Sequence, residues 1–110
     1  MHLNDVAYEA FSIARVAGWH DKGTTHFERF ALIHSEVSEA FEAYRKNGQR
    51  NWAEVDGKPE GVASELADII IRCAELAFWL EIDLDAAVEC KMEYNKVRLD
   101  VPIHGTEKAI

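Results

Sequence analysis

GVASELADIIIRCAELAFWL, residues 61 to 80, is the stretch on which the fold turns. At about 100° per residue, Val62, Leu66, Ile69, Ile70, Cys73, Leu76, Ala77 and Leu80 form a core stripe. Ala67, Ile71, Ala74 and Phe78 form a second apolar stripe, roughly on the opposite side. A helix that is apolar on two sides is covered on two sides. Pro59 suits its first turn, and the helix reaches Leu80.

Three more helices surround this one. The first spans Leu3 to Ala17, with Val6, Ala7, Ala10, Phe11 and Ala14 at helical spacing, and Gly18 stops it. Thr25 followed by Glu28 is a capping box that opens the second, which continues to about Lys46 and ends at Asn47-Gly48. Its core stripe is Phe30, Ile33, Val37, Phe41 and Tyr44. Residues 48 to 58 read as a polar loop containing Trp52. Asp83 caps the fourth helix, which runs to about Leu99. Val101-Pro102 ends it, and the last eight residues form an extended tail.

No stretch reads as a strand. Four helices with short connections imply an all-α, four-helix bundle-like fold in one domain, residues 1–110. With so few helices available, a second subunit is the expected cover for the second stripe of the third helix. The expectation is a homo-oligomer, a dimer or a tetramer.

The chain is 48% hydrophobic, enough for a core. Its net charge of −8 disfavours nucleic acid and anionic membrane as partners, which need a basic surface. An acidic protein that handles phosphates needs positive charge from elsewhere, and a divalent cation is the obvious source. Cys73 and Cys90 have no metal or redox spacing and read as reduced packing residues. Asp5 and Glu9 interrupt any signal-peptide pattern, and no apolar run is long enough to span a bilayer, so a cytoplasmic protein is expected.

The acids carry the chemistry. Glu36 and Glu39 are three residues apart, as are Glu65 and Asp68, so each pair can aim its oxygens at one point. If the second and third helices pack together, four carboxylates converge on a hard-oxygen site suited to Mg²⁺ or Mn²⁺. Spacing alone does not establish this. Three such acidic pairs occur (36/39, 39/42 and 65/68), and roughly that number arises by chance in so acidic a chain. Placement is more telling, because these acids border packed surface, where a lone carboxylate is costly. Either a metal or an ion-pair network with Arg72 would satisfy them. Glu-x-x-His, HExxH, zinc-type Cys/His spacing, a nucleophile elbow and a P-loop are all absent. His34 reads as a surface or packing residue.

LIHSEVSEAFEAYR, then KPEGVASELADIIIR, then KMEYNKVR followed by HG resembles the MazG-like branch of the all-α nucleoside triphosphate pyrophosphohydrolases, over about residues 17 to 105. The mark of that family is ExxE, a spacer and ExxD on two helices. The resemblance implies Mg²⁺-dependent hydrolysis of ribo- or deoxynucleoside triphosphates to the monophosphate and pyrophosphate, in a nucleotide-pool cleaning role. It implies that Glu36, Glu39, Glu65 and Asp68 hold metal, with Glu36 or Glu39 also orienting or deprotonating the attacking water. It further implies that Lys91, Asn95 and Arg98, which share one face of the fourth helix, meet phosphates or sugar, and that Trp19 stacks near the base. Two positions depart from the family pattern. Ser35 stands where longer members carry an extra Glu, and the tail reads Gly105-Thr106-Glu107-Lys108 where a basic run is usual. The alternatives are a non-catalytic helical interaction module and a relative acting on another diphosphate-containing nucleotide.

Overall fold

The computed structural model describes residues 2–20 and 23–100. The expected tail and the Val101-Pro102 stop lie outside them. The protein is mostly helical, in the order α1 (Leu3–Val16), α2 (His26–Asn47), β1 (Asn51–Ala53), β2 (Pro59–Gly61), α3 (Val62–Trp79) and α4 (Leu84–Asp100).

The helix boundaries follow local chemistry. Thr25 Oγ1 accepts the Glu28 N–H at 3.2 Å, and Gly48, with φ 58°, ends α2. Asp83 Oδ1 accepts the Ala86 N–H at 3.1 Å at the start of α4. The segment expected to be a loop instead holds a short antiparallel hairpin, in which Trp52 pairs with Glu60 and Asn51 with Gly61. Pro59 therefore belongs to β2, not to the first turn of α3. Strands of three residues are too short to show an alternation in sequence. Gly61 is required at the junction: its φ is 113°, and an added Cβ would collide with Asn51 Oδ1 and lie 2.6 Å from the Arg50 carbonyl. Asn51 uses that close approach to accept the Ala63 N–H at 3.0 Å, so the hairpin caps α3.

The centre of the fold is α3, with α1 and α2 packed along two of its sides. Buried Ala7, Ala10 and Ala14 let α1 come close, and Phe78 of α3 meets Phe11 at 4.8 Å and Tyr8 at 5.7 Å between ring centroids. The chain's own first helix packs on the stripe containing Ile71, Ala74 and Phe78, but only in part: Ala74 is buried, while Ile71 and Phe78 stay 42% and 37% exposed. The stripes expected to be core are largely open. Phe30, Val37, Phe41 and Tyr44 of α2, and Leu66 and Ile70 of α3, are 50–68% exposed. Only the far end of the α3 stripe, at Leu76 and Ala77, is buried. Cys73 and Cys90 are free thiols but exposed, not packed.

The fourth helix accounts for this openness. It is tied to α1 at its first turn, where Asp85 accepts the Leu3 and Asn4 N–H groups at 2.8 and 3.1 Å. In return, the Asn4 side chain accepts the Leu84 and Asp85 N–H groups at 2.9 and 3.3 Å. Beyond that turn α4 departs, and no Cα of α4 lies within 8 Å of α2. Within one chain the four helices therefore do not close on one another. The radius of gyration is 17.1 Å, against roughly 13 Å for a compact domain of this size. Among the described residues no helix is long and apolar enough to cross a membrane.

Candidate metal centre

The two helices that carry the acids are antiparallel. Arg29 near the start of α2 meets Glu75 late in α3 at 3.2 Å, and Glu36 further along α2 meets Arg72 at 3.3 Å. Arg29, Glu36 and Ala40 share one side of α2 by helical spacing, and all three are buried against α3. The inward side of α2 is thus the charged one.

This packing brings Glu36, Glu65 and Asp68 together, with one oxygen from each within 4.8 Å of the others. Glu36 Oε1 accepts from Arg72 Nε at 3.3 Å. Glu36 Oε2 and Glu65 Oε2 are buried without a hydrogen-bond partner. Burial, and then the charges of Glu39, Asp68 and Glu36, push the Glu65 carboxyl above its ordinary value. Burial and Glu36 do the same to Asp68, with Arg72 opposing. Glu39 is not part of the triad. It is exposed and lines the same cleft, together with Lys58, Pro59, Glu60 and Ser64. Lys58 is engaged with Glu60 at 3.2 Å.

These residues fit a hard divalent cation. Oxygens at about 2.1 Å from Mg²⁺ lie at most about 4.2 Å apart, so small side-chain rotations would bring the three into one shell. The two orphaned oxygens point the same way, because a buried acceptor with no donor is costly unless a cation satisfies it. Arg72 does pair with the acids, as one reading of the sequence required, but it satisfies only one of the six triad oxygens.

Arg72 also joins this cleft to a second feature. Its guanidinium lies 5.2 Å from the centre of the Trp19 ring. Trp19 and Arg72, with Thr24, Glu28, Arg29 and Leu32, line a recess of about 270 Å³. Trp19 is thus half-exposed at the edge of a recess next to the acids. The other three expected substrate residues are placed elsewhere. Within one chain, Lys91, Asn95 and Arg98 stay on α4, away from α2, where Lys91 and Arg98 flank the Tyr94 ring at 5.2 and 5.8 Å. His34 is exposed.

One cluster escaped sequence reasoning. Glu75, 1% exposed, has its Oε1 3.2 Å from Arg29 Nη1 and 3.3 Å from His20 Nε2, ion-pair contacts without hydrogen-bond geometry, so Glu75 Oε1 is a third buried carboxylate oxygen with no hydrogen-bond donor. The Trp79 ring packs edge-on against His20 and His26, at 4.6 and 4.5 Å. The available signal was Glu75 itself, a lone acid in an apolar run, on the same helix side as Asp68 and Arg72.

Fold and site together define a mostly helical protein with a carboxylate cleft between two antiparallel helices. No protein-family model matches the chain, and no curated protein or solved structure matches it.

Proposed function

We propose that this protein hydrolyses nucleoside triphosphates, ribo- or deoxy-, to the monophosphate and pyrophosphate with Mg²⁺ or Mn²⁺ as cofactor. The observation that carries this reading is the pair of buried, unpartnered oxygens, Glu36 Oε2 and Glu65 Oε2, in a carboxylate triad beside an aromatic recess. The resemblance of the ExxE and ExxD segments to MazG-like pyrophosphohydrolases supports it.

Glu36, Glu65 and Asp68 would hold the cation. A bound divalent ion supplies charge neutralisation to the phosphates and acidifies water. Glu39, which lines the same cleft outside the triad, would orient and deprotonate the water that attacks the α-phosphorus as pyrophosphate leaves. Arg72 steadies Glu36 through its Nε–H and offers Trp19 a stacked cation, and the recess they line would take a planar base. Lys91, Asn95 and Arg98 carry no step within a single chain.

The test is pyrophosphate release from a panel of ribo- and deoxynucleoside triphosphates, with Mg²⁺ and with EDTA. Metal-dependent release is expected from one or a few of them, and Asp68→Asn should lower turnover at least about 100-fold with helical content unchanged. No release from any nucleotide at high protein concentration would overturn the proposal. The open apolar face of α2 and α3 favours a second reading, a non-catalytic interaction module, which requires neither metal nor nucleotide. Release from a different diphosphate-containing nucleotide alone would assign a relative of the proposed reaction.

A further inference from the structure

Arg29 is 4% exposed, yet it lines the recess beside the triad, and its Nε–H has no hydrogen-bond partner. Its charge is balanced by Glu75, which is not among the lining residues and approaches Arg29 Nη1 at 3.2 Å. A buried donor without an acceptor is costly and is normally satisfied by protein, water or ligand. This one belongs to the wall of a cavity, where a modest rotation of the guanidinium presents it to a ligand. The rest of the lining decides what that ligand is. Trp19 supplies a planar face and Leu32 an apolar one. Arg29 and Arg72 are each matched by a carboxylate, Glu75 and Glu36, and Glu28 adds a third acid. The charges do not sum to an anion site, so a phosphate gains little here. A volume of about 270 Å³ lies at the low end of ligand pockets, which start at roughly 300 Å³. That is room for one flat ring system with a polar edge.

We infer that Arg29 reads the base in this recess, its Nε–H donating to a ring carbonyl oxygen, so that substrates with an oxo base are selected over adenine. The inference rests on the proposed nucleotide reading and names the base class for it. A guanidinium edge presents neighbouring N–H donors. Guanine, hypoxanthine, cytosine, uracil and thymine each carry a ring carbonyl that accepts from such an edge. Adenine carries none, and the ring nitrogens beside its 6-amino group bring that donor against the second N–H of the edge. A donor facing a buried donor leaves both unsatisfied, which is the strongest ground for rejecting a ligand of the right shape. Trp19 stacks on any base, since every base has a flat face, so stacking supplies affinity and Arg29 supplies the choice. Glu75 is a positioning residue, which acts on the ligand only through the guanidinium it holds.

The experiment compares kcat/KM of the full chain for inosine and adenosine triphosphates, ribo- and deoxy-, with Mg²⁺. The two bases share a ring system and differ chiefly in a 6-oxo against a 6-amino group. The inosine substrate should be favoured at least about tenfold. Arg29→Lys keeps a positive charge opposite Glu75 but loses the planar edge, and it should bring the ratio to within about twofold of one. Arg29→Met with Glu75→Leu should do the same. A purely structural role for Arg29 would lower both substrates together and leave the ratio standing. Equal values for the two substrates in the wild type overturn the inference, and so does a preference that survives in a folded Arg29→Lys protein. If neither variant keeps the wild-type helical content, the wild-type ratio decides. If no triphosphate is hydrolysed, the reaction proposal fails, and equilibrium dialysis of inosine and adenosine monophosphates without metal decides this inference. Tighter binding of the inosine nucleotide upholds it. Equal binding, or no binding of either at millimolar concentration, overturns it.

Discussion

Glu65 and Asp68 are held above their ordinary carboxyl values by burial and by one another's neighbours. The folded state therefore binds more protons than the unfolded state between the ordinary value, 4.5 for Glu65, and the raised one. In that window stability rises as pH falls. Metal-free protein should accordingly melt at a higher temperature at about pH 5 than at pH 7, and saturating Mg²⁺ should remove that gain by competing with the protons. Glu42 and Asp83, both lowered by hydrogen bonds, act in the other direction, and only below their ordinary values of 4.5 and 3.8. A melting temperature that falls from pH 7 to pH 5 without metal would contradict the clustering. Glu75 makes the opposite demand, for a partner already present. Glu75→Gln leaves Arg29 buried with an uncompensated charge and should cost about 3–5 kcal/mol in urea unfolding. Arg29→Met with Glu75→Leu should recover most of that loss, and a double variant as weak as the single one would count against the pair.

Among the elements, the junctions between α1 and α4 and between the hairpin and α3 are where side chains far apart in sequence finish one another's helix ends. Asn4 and Asp85 each cap the other's helix, satisfying N–H groups that have no partner within their own first turn. Asn4→Ala should cost about 1–2 kcal/mol in denaturant unfolding, like the loss of an N-cap. Hydrogen exchange at the first turn of α4 should quicken in the same variant; unchanged exchange there would show the lock to be dispensable. Gly61→Ala should cost about 1–3 kcal/mol by thermal or chemical unfolding, since it forces a side chain into a positive-φ position against the Asn51 cap. A neutral effect would mean the hairpin moves aside freely.

For the whole molecule, openness is the dominant property. Association that covered the two open apolar stripes would add stability, and it would obey mass action. The melting temperature of the full chain should therefore rise by several degrees with a hundredfold increase in protein concentration. A concentration-independent value across that range would show that one copy is self-sufficient.

Much of this was legible along the chain. The cap at Thr25, the cap at Asp83, the stop at Gly48 and the four helical periods depend on chemistry within about four residues, which a sequence displays directly. The i, i+3 spacing of Glu65 and Asp68 was equally visible, and it placed both on one side of α3. Periodicity reports which residues share a side, not which side meets a neighbour. The apolar ridge of α2 has the pattern of an inward face, yet Arg29 and Glu36 are the residues that meet α3. Tertiary packing alone decided that Glu39 stays at the rim while Glu36 joins the triad, and that Glu75 sits between Arg29 and His20. It also decided that α1 buries Ala74 and stacks Phe11 on Phe78 while Leu66 and Ile70 stay open. Each of these outcomes depends on contacts between segments dozens of residues apart, where the local energies of the alternatives are nearly equal.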